Sequence, residues 1–484
     1  SGRAIIGRSS NFGWTGDAAM RITGLDPAAS YQNGRTYNVL SAAEGVVGGF
    51  DSVTSNSAFI TPTLTQNGDQ LVLTIAVNGG GTDPGNPGNP GNPGEPGTPG
   101  NPGTPGTPGE PGTPGNPGTT PPPPEVFNPV ATNPNQENVA NGLNSLQQSG
   151  DALALYNALL MLDAEQAQQA FNELSGESHA SNRAMLLDDR FLRDGIAQRL
   201  RPDPTMAEYG PSLWLAGSST SRRQDASEMA ARTRDERHGA IVGMDWSFGE
   251  GWKWGVAVGP EKLRQRVSDR HSTTDVDAIH GGLYLGWQGA EFSFHAGASY
   301  ADYDVDTERS VGAGYSWAQR LDSSYSANAV SAFAEGGWNI DLDPLILTPY
   351  LGLSYTRLDT DAVQETGGAA ALAVEARKDD AWTATAGLRA GWQLGDDRGI
   401  ATRLEAGLAW QHSGGDLPET RSRFVAGTSS FNVQGLPLAR NVGVAEVGVS
   451  IKPTDNSRLA LMAQGRSGDG QSEFGGQLSF NLMF

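Results

Sequence analysis

From residue 212 onward the chain alternates between apolar and polar positions with a period of two. Val242, Met244, Trp246 and Phe248 enclose Gly243, Asp245 and Ser247. After the turn Gly249-Glu250-Gly251, Trp252, Trp254, Val256 and Val258 enclose Lys253, Gly255 and Ala257. A period of two puts one set of side chains on each face of a strand, and two such runs joined by a short Gly-bearing turn predict a hairpin. The pattern recurs through Leu283–Trp287, Phe292–Tyr300, Ala384–Trp392 and Leu404–Trp410. It ends on Phe474, Leu478, Phe480, Leu482 and the terminal Phe484, with Gln477, Ser479 and Asn481 between. Twelve strands are expected, near 212–220, 239–248, 252–259, 278–288, 291–302, 328–341, 346–358, 381–393, 401–411, 442–451, 457–466 and 474–484.

Short connections (249–251, 288–290, 342–345, 394–400, 452–456) alternate with long polar ones (221–238, 260–277, 303–327, 359–380, 412–441). That asymmetry is the rule for bacterial outer-membrane barrels, as are aromatic girdles at the two membrane surfaces. Trp246, Trp252, Trp254, Trp287, Trp338, Trp382 and Trp410 fall near strand ends and suit such girdles. A soluble barrel would place its larger apolar residues inside. Here Gly, Ser, Arg and Glu fill one face, a poor filling for a dry core, so the apolar face is expected toward lipid. Glu335, Arg389, Arg403, Glu405 and Glu446 all index to the opposite, lumen-facing side, where intraluminal ion pairs are their ordinary use.

Upstream the pattern changes twice. Residues 83–118 read as x-Pro-Gly triplets, followed by Pro121 to Pro124. Glycine at every third position also fits collagen, but that requires three chains side by side. A stiff, solvated spacer is the reading adopted, because this composition buries too little apolar surface to fold. From Asn135 to Gly176 the apolar spacing becomes i, i+3, i+4 on short helices punctuated by Ser149-Gly150 and Ser175-Gly176. Residues 183–200 then carry Asp188, Arg190, Arg193, Asp194 and Arg199. Eighteen helical residues span roughly 27 Å, about the height of a barrel's apolar band. So polar a helix directly before the first strand is expected to thread the pore.

These blocks resemble the carboxy-terminal part of a monomeric autotransporter (type V secretion). Asn135 to Ala140 and Leu174 to Ser181 resemble that family's pre-barrel helical region, and Leu192-Arg193-Asp194 with Arg199-Leu200 resembles its pore helix. The barrel of twelve strands ending in Phe matches in length and order. Gly34 to Leu40, Gly45 to Phe50, Leu64 and Leu71 to Ile75 resemble the closing rungs of an autotransporter passenger. The resemblance implies an all-β transmembrane barrel of twelve antiparallel strands with an α-helix in the pore, preceded by short helices, a Pro/Gly linker and the last rungs of a β-helix-like passenger. The corresponding divisions are 1–78 for the passenger end, 79–126 for the linker, 127–182 for the helical region, 183–205 for the pore helix and 206–484 for the barrel. It further implies a monomer that sits among outer-membrane lipid and exports its own passenger. Periplasmic chaperones and the barrel assembly machinery would be its partners, the latter reading a signal of the Phe474, Leu478, Phe480, Leu482, Phe484 kind.

Composition narrows the field. A net charge of −21 argues against a nucleic-acid partner. With no cysteine there is neither a disulfide nor a thiolate nucleophile. No run of eighteen apolar residues predicts a spanning helix, as expected of a barrel. Ser1 to Ala4 do not open a signal peptide, so an exported precursor is expected to begin further upstream. Zinc-protease, nucleophile-elbow and phosphate-loop motifs are missing, and the six histidines are dispersed. No catalytic residue, metal site or cofactor is therefore expected in this piece. Residues 182–200 contain no Asn-Asn pair, so the self-cleavage known in some relatives is not supported. Two alternatives concern the passenger: a surface adhesin anchored by the barrel, or a missing upstream enzyme such as a subtilisin-like serine protease.

Overall fold

A computed structural model describes residues 19–43, 45–46, 50–78, 125–201, 210–394 and 401–484. The spacer triplets, the glycines at 48–49, the end of the expected pore segment (202–205) and the turn at 395–400 lie outside them.

Twelve long strands form one sheet: β1 (Gly210–Gln224), β2 (Thr233–Phe248), β3 (Trp252–Val267), β4 (Ser272–Gln288), β5 (Phe292–Val311), β6 (Gln319–Trp338), β7 (Leu345–Thr360), β8 (Arg377–Leu394), β9 (Thr402–Gly415), β10 (Asn441–Thr454), β11 (Ser457–Gly468) and β12 (Gln471–Met483). Each pairs antiparallel with its sequence neighbour, and β12 returns to β1 from Met483↔Ser212 to Gln471↔Gln224. The sheet is closed, so it has no free end strand. Leu215, Val242, Val256, Leu283, Leu351, Leu408, Leu461 and Phe474 stand exposed on its outside. At the short-turn end Trp246 stacks on Trp254 with centroids 4.6 Å apart, and Trp252 lies 6.3 Å from Trp287.

Two expectations need correction. The segments 260–277 and 303–327 are mostly strand rather than loop: β3 and β4 meet across 268–271, and β5 and β6 run twenty residues each. The reason is an inversion of phase. On β5, Phe292, Phe294 and Tyr300 face outward, but Asp302, Asp304 and Asp306 continue that face, while Ala301, Tyr303 and Val305 turn inward and are buried. The outer segment is therefore an ordinary water-facing sheet with an apolar interior. The second correction concerns 183–200, which is not one helix. Helices α1 (Pro134–Asn144), α2 (Gly150–Leu159) and α3 (Ala164–Leu174) precede α4 (Glu177–Leu187), and after a break at 188–190 comes α5 (Phe191–Arg199).

Helices α1–α4 sit at the long-loop end. Their apolar faces (Val139, Leu143, Phe171, Met185) share one core with the inverted barrel positions (Val276, Tyr303, Val305, Leu321). A four-stranded sheet built from loop segments (363–364, 372–374, 419–424, 430–434) covers them from the side. α1 starts with Asn133 accepting from the Gln136 amide, and α3 with an Asp163–Gln166 capping box. The amino-terminal strands rest on the same core through Tyr31, Phe59 and Ile75. Ala19–Ile22 pairs parallel with Ser52–Ser55, as in a rung, whereas Arg35–Ser41, Gln70–Val77 and Ile60–Asn67 make an antiparallel sheet.

Candidate functional site: the barrel lumen

The chain enters the barrel from the long-loop end and is described as far as Arg201; β1 begins at the short-turn end beside the terminal Phe484, whose amide donates to the Pro211 carbonyl at 3.1 Å. α5 lies against one wall. Phe191, Leu192 and Ile196 pack on Trp214, Ala216, Ile241, Ala257, Tyr284 and Phe333. Glycines make room for them: a Cβ on Gly239 would lie 2.4 Å from the Phe191 ring, and one on Gly282 2.7 Å from Leu192. Opposite this apolar wall a polar cavity of about 170 Å³ remains, bordered by Arg193, Asp194, Gln198, Thr385, Gln411 and Glu446.

Charge is layered along the axis. Near the short-turn end, Arg201 reaches Glu446 at 2.7 Å and Glu405 at 3.3 Å. Arg389 pairs with Glu335 at 2.5 and 3.0 Å, and its guanidinium lies 3.6 Å over the Tyr350 ring. Arg403 and Arg458 each approach Glu405 at 3.3 Å. All five expected lumen residues thus meet in one network, centred on Arg201, which the pattern had not singled out.

Beside this network, Arg199 grips Asp245 with two bonds of 2.9 Å. Asp245 also accepts from Tyr284 at 3.0 Å, and the Trp214 indole donates to Tyr284 at 2.7 Å. Arg193 donates to Ser354 at 2.8 Å and lies 3.1 Å from Asp194.

The break between α4 and α5 forms a second layer, toward the long-loop end. Asp188 takes Arg222 at 2.8 Å, and Arg222 also holds Asp235 at 2.7 Å. Asp189 turns the other way, accepting from Ser331 at 2.7 Å and facing His280 at 3.4 Å, while His280 lies 3.1 Å from Glu261. Arg190 pairs with Glu473. Helix α4 ends where the Asp188 backbone leaves the helical region (φ −79°, ψ 51°), and from the break the adjacent aspartates are claimed by different walls. Asp188 and Arg190 therefore lie in the break, whereas Arg193, Asp194 and Arg199 lie on α5. Asp245, Tyr284, Arg222, Asp235, Glu261 and Glu473 were missed as site residues: the polar-face index marked Asp245 and Tyr284, whereas Arg222, Asp235 and Glu261 fell in segments expected to be loops and Glu473 just before the last expected strand.

On the outer surface of β12, Phe474, Leu478, Phe480 and Phe484 are exposed and Leu482 is half-buried. Among the described residues no group of His, Cys, Asp and Glu is arranged to hold a metal ion.

The family model for the autotransporter beta-domain matches residues 213–464. Two extracellular serine proteases of Serratia marcescens are each 30% identical, over 328 and 342 residues. The alignments cover 66% and 68% of this chain but 30% and 31% of those proteins, so the chain spans under a third of their length. Among solved structures, the translocator domain of the autotransporter NalP from Neisseria meningitidis superposes with a TM-score of 0.50 at 16% identity, covering 64% of this chain and 100% of that one. The chain belongs to the autotransporter beta-domain family, and its barrel is an outer-membrane translocator that carries its amino-terminal passenger to the cell surface.

Proposed function

We propose that periplasmic chaperones deliver this chain to the barrel assembly machinery, and that Phe474, Leu478, Phe480, Leu482 and Phe484 form the signal which that machinery reads. The barrel then works as a monomer. The segment ahead of it moves outward through the lumen and stays tethered by α5. Residues 1–78 are the end of the passenger, 79–126 its linker, 127–182 the helical region, 183–205 the pore segment and 206–484 the barrel. The observation that carries this reading is the path of the chain, which passes from α4 at the long-loop end through the break at 188–190 into α5 against the lumen wall, with Arg201 paired to lumen glutamates. Asp188, Arg190, Arg193, Asp194 and Arg199 hold that segment in place by the ion pairs described above. Folding of the exported part outside would bias the direction of movement.

An epitope in the linker near Gly100 tests the reading. Antibody should label it on intact cells, and labelling should disappear when Leu482 and Phe484 are replaced by polar residues. A tag reached only after the outer membrane is permeabilised, with the barrel inserted, would sink the export reading.

The passenger's own activity is a second question. The Serratia relatives are named extracellular serine proteases, which favours a serine protease ahead of residue 1 over an adhesin. An Asp…His…Ser signature in the upstream coding sequence would support it, and long β-helical repeats would overturn it.

A further inference from the structure

The chain leaves a core at Asn78 and re-enters the same core at Val126. The Asn78 amide donates to the Phe59 carbonyl at 2.8 Å. Val126 and Phe127 are buried, and their amides donate to the Asn144 side chain at 3.1 and 3.2 Å. The Phe59 and Phe127 rings meet edge to face with centroids 5.0 Å apart, and Phe127 lies 5.1 Å from Tyr156 and 6.2 Å from Phe171 in the same manner. The strands ahead of the linker and the helices behind it are therefore packed on each other directly.

Helix α2 depends on that packing. No residue from Ala152 to Leu162 is exposed. A helix apolar on all sides needs cover on all sides, and Tyr31, Phe59, Ile60 and Ile75 share its core. The polar groups match as well. Asn157, 2% exposed on α2, donates to the carbonyls of Asp26 at 3.0 Å and Ala29 at 2.8 Å, which uses both hydrogens of its amide. Those carbonyls belong to a turn fixed from within, since the Ala29 amide donates to the Asp26 carbonyl at 3.2 Å and the Asp26 amide to the Tyr31 hydroxyl at 3.1 Å. A helix also leaves its last carbonyls without partners. Just past α2, the Leu162 carbonyl accepts from the Ala58 amide at 3.0 Å, and the Leu160 carbonyl from the Ser57 hydroxyl. A buried polar group left unpaired costs more than a bond gains, so this surface fits residues 26–29 and 57–58 and not apolar cover in general.

We propose that this interface, and not the linker, holds the passenger on the barrel: residues 19–78 are seated on α2 and Phe127, so a cut in the linker leaves the passenger end bound to the outer mouth. The inference rests on the reading of residues 1–78 as the end of the passenger. Cutting removes the effective concentration that a tether supplies, on the order of millimolar, and the interface then has to hold unaided. The buried rings and the paired Asn157 amide are what it holds by.

The test uses the full chain folded in detergent, with a protease recognition sequence inserted after Gly100 and cut to completion. At about 1 μM, far below a tether's effective concentration, the amino-terminal fragment is expected to co-elute with the barrel on size exclusion. Phe59→Ala on one side of the interface and Asn157→Ala on the other should each speed its dissociation by about tenfold or more. Thr65→Ala, at an exposed position on the strands, should leave it unchanged. A fragment that separates from the folded, unaltered barrel overturns the proposal. So does retention of the fragment by both interface variants for as long as by the unaltered chain. Heat-dependent gel migration reports that the barrel is folded. Should Phe59→Ala fail to fold its strands, Asn157→Ala and the cut unaltered chain decide the matter. The readout needs no export: a retained fragment together with a linker epitope hidden on intact cells would remove the export reading and leave the interface standing.

Discussion

Asp245 shows what a single residue contributes in this lumen. Its carboxylate is fully buried and accepts two bonds from Arg199 and one from Tyr284, with Lys253 at 3.8 Å. Removing one partner of a buried pair leaves a charge out of water without compensation. Arg199→Ala is expected to lower stability by about 3 kcal/mol, read as a shift of the urea-unfolding midpoint in lipid vesicles. An unchanged midpoint would mean that Lys253 takes over the pair. The polar face of β2 was legible from alternation, and Asp245 with it. Its partner was not, because Arg199 lies 46 residues away, and only the closed barrel with its threaded helix brings the two together.

At the scale of elements, the inversion of phase divides each long strand into two functional parts. The membrane part turns apolar residues outward, and the outer part turns them inward to meet α1–α4. A search for one continuous phase stops at that boundary, which is why the sequence reading ended β5 near residue 302 and assigned 303–327 to a loop. The docked helices are pinned by Glu365, which accepts from Arg309 at 2.7 and 2.8 Å and faces His179 Nε2 at 2.7 Å. Burial pushes this carboxyl up, but Arg309 and His179 outweigh it and hold the group well below the usual carboxylate range. A carboxylate whose pKa is depressed on folding adds stability above its ordinary value of 4.5 and loses it as pH falls below that. Glu177 runs oppositely: burial raises it despite Arg270, so its contribution declines as pH rises past 4.5. Comparison with Glu365→Gln separates the two. The helical circular-dichroism transition of the unaltered chain should shift to lower temperature between about pH 4.5 and 3. In E365Q that shift should be much smaller. Equal shifts in both chains would remove Glu365 from the account.

For the whole molecule, α5 fills one side of the lumen and α1–α4 close its outer mouth, leaving a polar cavity of about 170 Å³ beside α5. A chain lacking residues 134–199 should conduct ions severalfold better than the full chain in planar bilayers; equal conductance would show that these helices do not obstruct the passage. The alternating sequence by itself determined that there would be a barrel, how many strands it would have and which face would meet lipid. In hydrocarbon every backbone group must be paired, so a chain with twelve such runs and no apolar helix has closure as its solution. That a polar helix would thread the pore was also legible, from its charge and its place before the first strand. Only the tertiary structure decided where that helix breaks, which wall claims Asp188 and which Asp189, that Arg201 gathers acidic residues of two strands, and that the outer strands share a core with the helices. Each of those outcomes depends on contacts between residues far apart in the chain, and a periodic pattern carries no record of its partners.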